Sequence, residues 1–122
     1  MMVRAIDNVE HCHSMEDVRR NIDALDDILV PLLVTRGGYM TQAARIKHDA
    51  HQVRDEERIE SIVARVRERA VQEGGEPEVI EAIYRSMMEA YIAYEHREFA
   101  RLRSSVDHGT PHGTPAANNL PR

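Results

Sequence analysis

Arg36 and Lys47 are the residues of this chain whose placement most invites chemistry. At about 100° per residue, Val18, Ile22, Leu25, Leu29 and Leu32 fall along one face of a helix. Arg36, Met40, Ala43 and Lys47 continue that same face. The two cations are roughly three turns apart and share a side. Neither has an acidic residue three or four positions away in either direction. A charge on a core-facing stripe is costly unless it is paired, so two such cations point to an external anion. Plainer readings stand beside this one. Arg36 can snorkel past the edge of the core, and Lys47 sits where a helix C-terminus favours a cation.

Glu95 supplies the opposite sign. It falls on the helical stripe of Tyr84, Met88, Tyr91 and Phe99, again with no counter-ion at three or four residues. A carboxyl on an apolar stripe must meet a cation from elsewhere or take up a proton. A structural pair with Lys47 or an arginine and a functional role fit the spacing equally well. Tyr91 reads as core or as a ligand contact. Asp55 reads as a helix cap, which leaves room for a second role. Arg58 has Asp55 three residues before it, so an ordinary ion pair competes with a ligand role. Arg19 lies about 25 Å from Arg36 along the helix and is rotated by roughly 100°. It cannot join the pair from the same helix, but in an antiparallel dimer it approaches Arg36 and Lys47 of the other chain. Glu16 and Asp23 offer it a plain surface ion pair instead. Arg45, on the opposite side and with Asp49 at i+4, is assigned to the surface.

The elements that must carry these residues read as three helices, an all-α chain with no segment alternating as a strand. Ser14 with Glu16 and Asp17 resembles a helix start. Helical periodicity then runs over about 18–47. Pro31 removes a backbone donor and predicts a kink, and Gly37-Gly38 weakens the same helix, yet the stripe keeps its phase across both. A short loop spans 48–53. The second helix runs from about 55 to Gly74-Gly75, burying Ile59, Ile62, Val63, Val66 and Ala70. Pro77 opens a third helix that runs to about 103, with Ile80, Tyr84, Met87, Met88, Tyr91 and Phe99 inward. The division is a flexible segment over 1–13, a helical domain over 14–103 and a disordered tail over 104–122. Two shorter helices cannot cover so long a first helix, so an intertwined homodimer is expected.

Bulk properties narrow the class. The chain has 122 residues and a formal net charge of −5, room for one domain with a modest core. That charge argues against a nucleic-acid or anionic-membrane partner. One cysteine, Cys12, rules out an internal disulfide. No signal peptide or transmembrane-length run is visible, which makes a cytoplasmic protein the expectation. Metal signals are weak. His11-Cys12-His13 lacks a further ligand, and the pairs His48/His51 and His108/His112 read as solvated. No phosphate loop or activated nucleophile stands out.

Together these motifs resemble a known family. They are the stretch Val18-Arg19-Arg20-Asn21-Ile22-Asp23-Ala24-Leu25-Asp26, then Arg36, then Ala44-Arg45-Ile46-Lys47, then Val53-Arg54-Asp55 with Arg58. Their order and spacing resemble the all-helical chorismate mutases, and especially the branch containing the isochorismate-pyruvate lyases. The resemblance covers about 15–103. It implies an intertwined helical homodimer with two equivalent sites, a small dicarboxylate substrate and no cofactor or metal. It implies that Arg19 reaches into the partner's site. It further implies that Arg36, Arg58 and Lys47 hold the two carboxylates, and that Lys47 contacts the ether oxygen of the breaking bond. Asp55 is placed near the ring hydroxyl, and Glu95 where a glutamine commonly donates to the ether oxygen.

Two departures pull in opposite directions. Ile59 stands where many mutases carry a glutamate, which is more like the lyases. Glu95 in place of glutamine is more like certain mutases. The first reading is the rearrangement of chorismate to prephenate. The second is elimination of pyruvate from isochorismate to give salicylate. A non-catalytic helical dimer is the third, and charges without local partners speak against it.

Overall fold

The computed structural model describes residues 8–107. Among these there are three α-helices and no strand: α1 at Met15–Ile46, α2 at Glu56–Gln72 and α3 at Pro77–Asp107. The first seven residues and the tail from 108 onward, including His108 and His112, lie outside the described residues.

Each boundary has a local cause. Ser14 Oγ accepts from the Asp17 amide at 3.1 Å, while Asp17 Oδ2 accepts from the His13 amide. Donors left open by the first turn of α1 are thereby satisfied. α1 continues through Pro31 and through Gly37-Gly38. It is followed by a short 3-10 turn at Ala50–Gln52, closed by reciprocal capping between Asp49 and Gln52. Asp55 caps α2, its carboxylate accepting from the Arg58 amide at 3.0 Å. The end of α2 is a glycine stop. Gly74 takes a φ of 82°, which L side chains rarely adopt, and the Gly75 amide returns to the Ala70 carbonyl. Pro77 opens α3, where its missing N–H costs nothing. α3 runs to Asp107, past the boundary expected at 103.

The described residues divide into two compact units. One comprises residues up to Leu32 with Asp55–Glu89, the other Leu33–Arg54 with the chain from Ala90 onward. The core of the first is the α2 stripe Ile59, Ile62, Val63, Val66 and Ala70, joined by Met88 of α3. These five α2 positions, separated by 3, 1, 3 and 4 residues, share one helix face. Charge bridges tie α2 to α3 around this core. Arg85 takes both oxygens of Glu60 and also binds Glu81, which Arg67 engages from α2 at 2.7 Å.

In the same unit the apolar stripe of α1 is not covered. Leu25 is 63% exposed, Ile28 64% and Leu32 61%, and Ile22 and Leu29 are about half exposed. Of the lead-in, Glu10 accepts from the Asn21 amide group at 3.1 Å. Among the described residues, no helix is long and apolar enough to cross a membrane.

Candidate functional site

The second unit brings Arg36, Lys47, Tyr91 and Glu95 onto two helix segments packed side by side. Contacts between them climb in step. The Tyr91 hydroxyl donates to the Leu33 carbonyl, Thr41 bonds Tyr94 and Glu98, and Arg103 reaches Ala44 and Lys47. The later part of α1 and the later part of α3 therefore run in the same direction. Gly37 permits the close approach. A Cβ there would stand 3.3 Å from a ring carbon of Tyr91, tighter than ordinary van der Waals contact.

Lys47 follows the last residue of α1, its amide bonded to the Ala43 carbonyl. Helical side chains lean toward the N-terminus, so the Lys47 chain runs back along α1 toward Glu95. Lys47 Nζ lies 2.8 Å from Glu95 Oε2. Glu95 is the only charged residue buried among those described, with 3% exposure, whereas the Lys47 side chain keeps 26%. The pair is thus open at its lysine end. An ammonium has three donors and a carboxylate two acceptor oxygens. One contact between them leaves two Lys47 N–H groups, and no described residue donates to Glu95 Oε1.

Arg36 also finds a partner on α3. Its guanidinium lies over the Tyr91 ring, 5.1 Å from the centroid, a cation–π contact. The Tyr91 ring is steadied by its hydroxyl bond to Leu33 and by the Gly37 backbone. Both cations that lack counter-ions along α1 are therefore met by α3. Lys47 has a charge partner and Arg36 an aromatic one, which uses no guanidinium N–H. The plain reading of Glu95 as the partner of Lys47 is the contact that forms.

Arg19, Asp55 and Arg58 belong to the other unit. Arg19 is exposed and has no salt bridge among the described residues, so the rival pairings with Glu16 and Asp23 do not form. In their place Arg20 pairs with Asp17. Asp55 is engaged as the α2 cap, and its bond is to the Arg58 backbone. The Arg58 side chain is exposed and forms no ion pair with Asp55. Ile59 belongs to the buried α2 stripe, and packing accounts for its apolar character.

Sequence reasoning missed Arg103. Its guanidinium donates to the Ala44 carbonyl at 2.6 Å and to the Lys47 carbonyl, and it stacks on Phe99 at 3.7 Å. Phe99 and Arg103 continue the Tyr91–Glu95 stripe at i+4 spacing, the one signal that could have found it. No group of three or more His, Cys, Asp or Glu that could hold a metal occurs among the described residues.

The later part of α1 and the residue after it thus set an arginine and a lysine against Tyr91 and Glu95 of α3. Residues 18–96 match the family model for chorismate mutase type II, and the chain belongs to that family. The matched segment contains every residue of the candidate site named above except Arg103. It supports the family as a whole and does not single out the lyase branch. A search of curated proteins found no match.

Proposed function

We propose that the protein catalyses the rearrangement of chorismate to prephenate at a site centred on Lys47. The observation that carries this reading is the Lys47–Glu95 pair, buried at its carboxylate and open at its ammonium, within the matched family segment. The reaction is pericyclic. The enolpyruvyl ether bond breaks as a carbon–carbon bond forms, and no covalent intermediate is required. Catalysis then consists of holding a compact diaxial conformer and stabilising the negative charge that grows on the ether oxygen.

Lys47 serves both ends of that task. Its free N–H groups donate to the ether oxygen and to a carboxylate, while Glu95 aims the ammonium. Arg36, resting on Tyr91, holds a carboxylate with N–H groups that its stacking leaves unused. By the family likeness, Arg58 is assigned to the second carboxylate and Asp55 to the ring hydroxyl.

The working form is a homodimer, with Arg19 of one chain entering the site of the other. The uncovered α1 stripe supports this reading. Contiguous apolar surface of this kind marks an interface, and the stripe runs along the helix that carries Arg19 and Arg36 and leads directly into Lys47.

One assay tests the reaction. Purified protein is given chorismate and isochorismate in separate reactions and the products are identified. Prephenate from chorismate is expected. Salicylate and pyruvate from isochorismate, without prephenate from chorismate, would replace the mutase reading with the lyase one. No turnover of either would leave a non-catalytic dimer.

A further inference from the structure

We propose that Arg103, which lies beyond the matched family segment, is a positioning residue for Lys47. The proposal rests on Lys47 being the residue that stabilises charge at the breaking bond.

Lys47 stands at a weak point of the backbone. The last carbonyls of a helix have no intrahelical donors, and the chain turns away immediately afterward into the 3-10 segment. An ammonium anchored on such a frayed end would be poorly aimed. Arg103 removes that freedom. One guanidinium spans two carbonyls of the α1 terminus, those of Ala44 and Lys47. Its plane is fixed by Phe99 beneath it. Lys47 is consequently held twice by α3, through its carbonyl by Arg103 and through its Nζ by Glu95. On the far side, Gln52 Oε1 accepts from the amides of His48 and Asp49, closing the turn that follows. The fork geometry matters. Arginine presents several N–H groups in one rigid plane, whereas lysine offers a single compact ammonium, so only arginine spans both carbonyls with its plane fixed.

A misplaced Lys47 ammonium harms the transition state more than the ground state. The substrate carboxylates have Arg36 and Arg58 to bind them, but charge on the ether oxygen develops only as the bond breaks. Loss of Arg103 should therefore act on kcat.

The test compares Arg103→Ala, Arg103→Met and Arg103→Lys with wild type and with Lys47→Ala, using the full chain and chorismate. We expect Arg103→Ala and Arg103→Met to lower kcat by about tenfold or more with KM changed by less than about threefold. Arg103→Lys should recover only part of the loss. Added guanidinium ion should raise kcat of Arg103→Ala but not of Lys47→Ala. In the double variant, loss of Arg103 should add little to loss of Lys47. Methionine keeps the packing on Phe99, so Arg103→Met remains informative if the alanine variant folds poorly. Wild-type kcat in Arg103→Met, or full additivity with Lys47→Ala, would overturn the positioning role. Wild-type turnover in Lys47→Ala would instead overturn the site reading itself, whatever Arg103 does.

Discussion

Lys47 and Glu95 meet at 2.8 Å although 48 positions separate them in the chain. The carboxylate is buried and the ammonium is not, so the pair presents a cation to whatever binds beside it. Burying the ammonium as well would add its own desolvation cost. Keeping one end open retains donors for a ligand, at the cost of a charged group within the helix packing.

Replacing Lys47 separates these roles. Lys47→Ala should lower mutase turnover by orders of magnitude, as expected for removal of a charge-stabilising donor, while the far-UV circular dichroism stays helical. It also strands the Glu95 carboxylate, so a lower Tm is expected. Adding Glu95→Gln should recover much of the Tm without recovering turnover. Near-wild-type turnover of Lys47→Ala would remove Lys47 from the site.

Glu95 aims the Lys47 ammonium through a charge-assisted contact. Glu95→Ala should lower mutase turnover by about tenfold or more, while Glu95→Gln, which keeps an acceptor oxygen for the ammonium, retains more of it. Wild-type turnover of Glu95→Ala would leave the pair with a structural role alone.

Sharing of the site between subunits has its own signature. Arg19→Ala and Lys47→Ala chains, each impaired alone, should regain about one competent site per mixed dimer. Turnover is measured on heterodimers purified through two different tags. Confirmed heterodimers with no recovered activity would confine each site to one chain.

Acid stability should depend on the α2–α3 bridges. The Arg85 guanidinium holds the carboxyls of Glu60 and Glu81 below their usual 4.5, and Arg67 adds to the effect at Glu81. Carboxyls lowered on folding contribute stability that is present above 4.5 and lost as pH falls through their folded values. Glu60 is exposed and Glu81 only half-buried, so the contribution is modest and weakened by salt. Arg85→Met should therefore narrow the Tm difference between pH 6 and pH 3 relative to wild type. An unchanged difference would show that these bridges carry no pH-dependent stability.

Much of the architecture was legible without coordinates because it rests on short-range rules. The α2 stripe from Ile59 to Ala70, the Ser14 and Asp55 caps, the Gly74-Gly75 stop and the Pro77 start each depend on residues within about two turns. So does the alignment of Arg36 with Lys47, which follows from helical phase alone. The 3-10 turn at Ala50–Gln52 is indistinguishable from loop in the sequence, since its Asp49–Gln52 cap stabilises only a single turn.

What sequence alone determined was an all-helical chain with two cations on one face and a carboxyl on another apolar stripe. Whether those charges were alone was a matter for the tertiary structure. α3 answers α1 with Glu95 for Lys47, Tyr91 for Arg36 and Arg103 for the open carbonyls of the α1 terminus. Helical periodicity tells which way a side chain points, because the repeat is local. It cannot tell which helix will be opposite or in what register, because that is decided by where Gly37 admits the Tyr91 ring and how ridges pack into grooves.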